Sequence, residues 1–131
     1  MEIRKKEFKY RGKTLEELKK LDVREFSKLL RSKDRRTALR QFQEIENFVR
    51  KAKSKAAKNK KIKTHDRYLI IVPELVGLKI HTYNGREFIP LEITGDMLGH
   101  RFGEFALTRS RVAHTKSGVG ATKGSKALAK K

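Results

Sequence analysis

The chain has 131 residues, enough for one modest core with an extension, and it carries 34 Lys and Arg against 15 Asp and Glu. The formal net charge of +19 favours a polyanionic partner, and nucleic acid fits better than a membrane because no long apolar run, amphipathic anchor helix or signal segment is present. These features lead us to expect a soluble, intracellular, nucleic-acid-binding protein. The absence of cysteine excludes disulfides, thiolate nucleophiles and cysteine-ligated zinc but does not by itself settle the compartment.

Two capping-box patterns predict short helices near the N-terminus. Thr14 stands three residues before Glu17, and Asp22 stands three residues before Glu25, each ahead of apolar residues at helical spacing. A third, longer helix is predicted from near Asp34 to about residues 55–60. Its inward stripe is expected to consist of Leu39, Phe42, Ile45 and Val49, and the rings of Phe26, Phe42 and Phe48 are expected to fill the core.

Positive charge is concentrated in two segments. Residues 47–65 contain no acid while lysines accumulate, and no acid follows Glu104. A short lysine run is usually a solvated helix face or a flexible tail. Two uncompensated runs in one small chain instead favour contact with nucleic-acid phosphates, which would relieve their self-repulsion.

Strand-like patterns follow the first basic segment. The apolar run 68–72 predicts one strand, and residues 78–83 and 86–93 predict a hairpin joined by Asn84-Gly85 in a type I′ turn. The expected pairs join Tyr83 to Arg86, His81 to Phe88 and Ile80 to Ile89. The fold class is therefore predicted to be α+β, a small three-stranded antiparallel sheet with N-terminal helices and basic extensions.

The predicted hairpin has two unlike faces. Leu78, Ile80, Ile89 and Leu91 form an apolar face, whereas the opposite face interleaves cations with rings, namely Lys79, His81, Tyr83, Arg86 and Phe88. Such a surface suits stacking on bases and contact with phosphates, although a plain solvated face is an equal alternative. Pro90 cannot donate a ladder hydrogen bond, so it should face outward from an edge strand or sit at a bulge.

The segment 95–114 combines glycines with ionisable side chains. Gly95, Gly99 and Gly103 recur every four residues, while His100 and Glu104 stand four apart. One His and one carboxylate make half a metal site, and no P-loop or nucleophile elbow occurs, so we expect no catalysis, no cofactor and no metal. The glycines instead indicate positive φ or close backbone approach, with exposed N–H groups that could cradle RNA phosphates.

Three runs in this order and spacing, KTHDRYLIIVPELVG, IHTYNGREFIPLEIT and DMLGHRFGEFALTRSRVAH, resemble the small-subunit ribosomal protein family numbered nineteen. The resemblance covers roughly residues 62–114, and the N-terminal part is similar to the archaeal and eukaryotic version, archaeal more than eukaryotic. It implies a structural component of the small-subunit head in the cytoplasmic ribosome, bound to small-subunit rRNA beside the family-thirteen protein, with its tail near the decoding region and tRNA. No small-molecule substrate is implied.

The chain is accordingly divided into three parts. Residues 1–61 form an N-terminal helical extension ending in a basic linker, 62–114 an rRNA-binding α+β core, and 115–131 a flexible basic tail. A free-standing RNA chaperone or architectural protein is the main alternative, and a small metal-dependent nuclease built on His100 and Glu104 is a lesser one. The candidate RNA-binding residues are Lys63, Thr64, Arg67, Lys79, His81, Asn84, Gly85, Arg86, His100, Arg101, Gly103, Thr108, Arg109, Arg111, His114 and Lys116.

Overall fold

The computed structural model describes residues 7–110, which form an α+β fold, as predicted. A small hairpin of β1 (Lys9–Tyr10) and β2 (Lys13–Thr14) leads into the helices α1 (Leu15–Lys19), α2 (Val23–Ser27), α3 (Ser32–Arg40) and α4 (Phe42–Ala57). The strands β3 (Ile62–Thr64), β4 (Lys79–Tyr83) and β5 (Phe88–Glu92) then form the main sheet, and α5 (Phe102–Phe105) follows them. Single 3₁₀ turns occupy Pro73–Leu75 and Gly95–Met97. Across the described residues, no helix is long and apolar enough to cross a membrane.

Both predicted capping boxes are present. The backbone N–H of Thr14 donates to Glu17 Oε2 at 3.0 Å, and the N–H of Asp22 donates to Glu25 Oε2 at 3.3 Å. Each acid also lies in the first turn of its helix, where a negative charge meets the positive end of the helix dipole. Local sequence is therefore sufficient to begin α1 and α2.

The prediction of one long helix from about residue 34 is wrong, because this segment forms two helices. Gln41, with φ −100° and ψ 15°, separates α3 from α4. Both helices contact α2, and the Arg35 guanidinium donates to the Lys28 and Leu30 carbonyls ahead of α3. The buried residue of α3 is Ala38, at 1% exposure, whereas the neighbouring Leu39 is 49% exposed. The predicted inward position of Leu39 is therefore also wrong.

The main sheet is mixed, so the purely antiparallel prediction is wrong. Its strand order is β3-β4-β5, with β3 parallel to β4 and β5 antiparallel to β4. The run 68–72 is not a strand; its single bridge joins Ile70 to Arg101. Leu69, Ile70, Ile71 and Val72 are all at most 2% exposed. A buried apolar run predicts a strand from the sequence, but here residues 69–71 form backbone hydrogen bonds with residues 99–102 and do not join the sheet.

The hairpin forms, but its strand pairing is shifted by two residues from the predicted register. Tyr83 pairs with Phe88, Thr82 with Ile89 and Ile80 with Leu91. A type I′ turn needs positive φ at both central residues, but here only Gly85 has it, at 100°, so the predicted turn type is wrong. The Asn84 side chain instead accepts hydrogen bonds from the backbone N–H groups of Arg86 and Glu87, which holds a four-residue loop. A shift of two keeps the paired strand residues on their predicted faces, whereas Arg86, predicted on the face with the cations and rings, lies in the loop.

One buried cluster joins the helices to the sheet. Phe26 is 1% exposed, and Phe42 and Phe48 pack against the cluster, which confirms their predicted core role. The Phe48 ring meets Phe102 edge to face at a centroid distance of 5.5 Å, so α4 and α5 are fixed to each other through the core.

Candidate nucleic-acid interface

The three strands present alternate side chains to opposite sides. Ile62, Thr64, Ile80 and Thr82 are buried beneath the sheet. The strand residues that point the other way form what we call the outer sheet face: Lys63, Lys79, His81, Tyr83, Phe88, Pro90 and Glu92. Pro90 lies on the edge strand β5, as predicted. Apart from Glu92, opposite Lys79, the charged groups of this face are cations.

Three rings cluster at one end of the outer sheet face. The His65 ring lies 4.6 Å from Tyr83 and 5.1 Å from Phe88, and Tyr83 and Phe88 are also 5.1 Å apart, all between centroids. Lys63 Nζ lies 5.0 Å from the centroid of the Phe88 ring, within cation–π range. We call these four side chains the ring cluster. It joins planar surfaces for base stacking with a positive charge for phosphate.

The RNA-binding residues predicted from the sequence do not include the three rings of this cluster. Tyr83 and Phe88 were recognised only as members of an interleaved face, and His65 was not assigned to it. The signal for the two strand residues was present in their alternation with cations. His65 could not be placed, because its neighbours depend on the parallel pairing of β3 with β4, which brings distant segments together.

Arg67 has an internal role that its charge does not reveal. Its guanidinium donates to three backbone carbonyls, those of Tyr83 at 2.6 Å, Gly103 at 3.1 Å and Ala106 at 2.6 Å. These bonds tie the end of β4 to α5 and the residue after it. Three of the five guanidinium N–H groups are thus committed within the protein, which makes Arg67 a structural clamp, while its contact with RNA stays a prediction.

Thr64 and His81 are also partly committed within the protein. Thr64 is 4% exposed, and its hydroxyl accepts from the Asp66 backbone N–H at 3.0 Å, so Thr64 is not a surface contact. His81 Nδ1 lies 3.3 Å from the Ile62 carbonyl, on the neighbouring strand. This bond leaves the other ring nitrogen of His81 for a ligand.

The predicted turn residues differ in availability. The Asn84 side-chain oxygen is used inside the turn, whereas Gly85 and Arg86 are exposed. The Tyr83 hydroxyl donates to the Gly85 carbonyl at 3.1 Å, which fixes the turn beside the ring cluster. Arg86 is therefore the turn residue best placed to meet a phosphate.

The glycines of the segment 95–103 serve internal packing. Gly99 has φ +79°, and a Cβ there would lie 2.8 Å from Leu30 Cδ2. A Cβ on Gly103 would lie 3.1 Å from the Arg67 carbonyl oxygen. The Gly99 and Gly103 N–H groups donate to the carbonyls of Ile71 and Arg67, so they are not free to cradle phosphates as the sequence suggested. The close approach that the glycines permit is protein against protein.

His100 and Glu104 form an exposed ion pair or hydrogen bond rather than a metal site. His100 Nδ1 lies 2.7 Å from Glu104 Oε2, with both side chains about half exposed. The other carboxylate oxygen of Glu104 accepts from the Arg101 backbone N–H, and Arg101 reaches Thr37 on α3. Residues 7–110 contain no group of three or more His, Cys, Asp or Glu that could hold a metal ion.

The remaining candidates lie toward the C-terminus. Thr108 and Arg109 are exposed, as an RNA contact requires. Arg111, His114 and Lys116 lie outside the described residues, as does the predicted tail 115–131. Within residues 7–110 there are two ion pairs, Lys53 with Glu74 and His100 with Glu104. Most of the cations in this part of the chain therefore have no carboxylate within salt-bridge distance.

Comparison with known proteins shows which family the chain resembles. A family model described as Ribosomal protein S19 matches residues 31–114. The Small ribosomal subunit protein uS19 of Saccharolobus solfataricus is 45% identical over 130 residues, which cover 96% of this chain and 93% of that relative.

The chain belongs to the ribosomal protein S19 family.

The resemblance seen in the sequence is thus confirmed, and because the match to an archaeal relative extends through the N-terminal helices, so is the archaeal-type version. A member of this family is a structural ribosomal protein of the small subunit with a role in translation, not an enzyme. The nuclease alternative based on His100 and Glu104 is accordingly dropped.

Proposed function

We propose that this protein is a structural constituent of the small-subunit head that binds small-subunit rRNA with its outer sheet face and its basic segments. The observation that carries the proposal is the ring cluster of His65, Tyr83 and Phe88 with Lys63 above a ring. A surface of this kind offers stacking and charge at one place, which a protein that only needed solubility would not require.

The binding has two components with different physical origins. Lys63, Lys79 and Arg86 would neutralise phosphates and release counterions, a contribution that falls as salt rises. The rings would stack on unpaired bases, a contribution that depends little on salt. Arg67 would act indirectly by holding the strand end that carries Tyr83 against α5.

The finer placement of the protein also belongs to this proposal. Residues 62–114 would form the rRNA-binding core, residues 1–61 an extension ending in a basic linker, and the tail 115–131 would reach toward the decoding region and tRNA. The family-thirteen protein would be its neighbour in the head, and the cytoplasmic ribosome its location. These statements rest on the family and on the distribution of charge.

Salt titration of rRNA binding tests the electrostatic part. If about six to ten phosphates are neutralised, the logarithm of the association constant should fall against the logarithm of salt concentration with a slope of about −5 to −8. A slope near zero between low and moderate salt would contradict the proposal. A Lys63→Ala variant should lower the magnitude of that slope by about 0.7 to 0.9.

Sedimentation of cell lysate separates this function from a free-standing RNA chaperone. A structural constituent should travel with small subunits and stay there after a moderate salt wash, because its contacts are part of the assembled particle. A chaperone should be found mainly in the light fractions. Recovery of most of the protein in the light fractions would support the chaperone and contradict the structural role.

A further inference from the structure

A groove of about 500 Å³ lies beside the ring cluster, between α4 and residues 62–69. One wall comes from α4 with Phe48, Lys51 and Lys55, and the other from Lys63, His65 and Tyr68. The volume falls within the range of small-molecule sites, roughly 300 to 1,000 Å³. The groove is thus large enough for one nucleotide.

Tyr68 is an exposed aromatic side chain tethered by one hydrogen bond across the groove. It is 43% exposed, and its hydroxyl donates to Glu44 Oε2 at 3.0 Å, across the groove to α4. That hydrogen bond, together with nearby carboxylate charge, raises the pKa of Tyr68, so the phenol stays protonated and keeps donating. An exposed ring with restricted motion has less conformational entropy to lose when a planar ligand stacks on it.

The charges around the groove favour an anionic ligand. Lys51, Lys55 and Lys63 are exposed, and none of the salt bridges within residues 7–110 involves them. The two carboxylates on the groove are already engaged: Glu44 accepts from Tyr68, and Asp66 lies within hydrogen-bond distance of the Thr64 hydroxyl, at 3.4 Å. These hydrogen bonds leave both carboxylates charged, but the three lysines outnumber them, so the groove is net positive.

We propose that this groove binds one unpaired nucleotide of small-subunit rRNA, with the base against Tyr68 and its phosphate among Lys51, Lys55 and Lys63. The Asn47 amide, which also lines the groove, offers both donors and an acceptor to a base edge. The inference rests on the proposed function, and it deepens that function by naming a nucleotide-sized site that adjoins the ring cluster and shares Lys63 and His65 with it.

The test measures binding of the full-length protein to small-subunit rRNA over a range of salt concentrations. Tyr68→Ala removes the ring and should weaken binding by roughly 5- to 150-fold, the loss of one stacked base, with the salt slope unchanged. Tyr68→Phe keeps the ring but loses the hydrogen bond to Glu44, so it should lose much less affinity than Tyr68→Ala. Lys55→Ala should instead reduce the magnitude of the salt slope by about 0.7 to 0.9.

Leu39→Ala serves as the matched control, because Leu39 is a similarly exposed apolar side chain on α3, and it should leave affinity unchanged. Thermal denaturation of each variant checks that the fold is intact, which the exposure of Tyr68 leads us to expect. Ultraviolet cross-linking of the complex should also attach a nucleotide to the peptide containing Tyr68.

Two results would overturn the inference. Tyr68→Ala could bind rRNA as tightly as the unaltered protein at every salt concentration, or it could lose affinity together with a smaller salt slope, which would assign Tyr68 an electrostatic or structural effect. In either case the unaltered protein would still bind rRNA, so the proposed function would stand. Absence of rRNA binding by the unaltered protein would instead contradict the proposed function itself.

Discussion

Replacing Arg67 by Lys keeps the positive charge but removes the planar fork of donors that meets three carbonyls. The guanidinium of Arg67 reaches Tyr83, Gly103 and Ala106 at 2.6 to 3.1 Å, and an ammonium at the end of a different stem cannot match these directions. A hydrogen bond to a charged group contributes about 1.5 to 3 kcal/mol. Because the three bonds are not additive and water can reach part of the site, we expect a loss of about 2 to 5 kcal/mol in unfolding free energy.

A loss of that size is readily measured. For a domain of about 100 residues, each kcal/mol lowers Tm by about 4 to 8 °C, so Arg67→Lys should lower Tm by at least about 8 °C. Urea denaturation gives the same free energy independently. Arg86→Lys is the matched control, since Arg86 is exposed in the turn and should change stability by less than about 0.5 kcal/mol.

The outcome separates a structural role from a role in RNA binding. If Arg67 acts only as a positive charge for phosphate, the lysine variant should keep both its stability and its rRNA affinity. The clamp reasoning is refuted if Arg67→Lys unfolds at the same urea concentration as the unaltered protein. The clamp role would be supported further if Arg67→Lys loses much stability but regains its rRNA affinity at low temperature.

Three further variants test the turn and the C-terminal tail. Gly85→Val places a β-branched side chain at φ 100°, although nothing lies within 4 Å of the new Cβ. The strained backbone should lower the unfolding free energy by about 1 to 3 kcal/mol in denaturation experiments and weaken rRNA binding. Unchanged stability would contradict the backbone requirement. Arg86→Ala should weaken rRNA binding while thermal stability stays nearly constant, and an equal loss of stability would make Arg86 structural. Truncation after His114 should leave thermal stability and entry into small subunits unchanged but should lower the efficiency or accuracy of translation. Normal translation rate and fidelity in cells that carry only the truncated protein would remove the functional role proposed for the tail.

Features that depend on neighbours along the chain could be predicted from the sequence alone. The capping boxes of Thr14 and Asp22 act over three residues, and the hairpin around Gly85 closes a short loop. The two faces of the hairpin were also correct, because strand side chains alternate whatever the exact register, and the observed shift is an even number of residues. Net charge, which needs no structure, indicated a polyanionic partner.

Tertiary structure decided what depends on residues distant in the chain. The strand that pairs with β4 is Ile62–Thr64 and not the more apolar run 68–72, whose residues 69–72 are buried and bond to the distant segment 99–102 instead. The same non-local contacts bring His65 to the rings of Tyr83 and Phe88 and direct the Arg67 guanidinium inward. A basic side chain looks alike in sequence whether carbonyls or solvent surround it, so only the fold could separate the structural cation from those left at the surface.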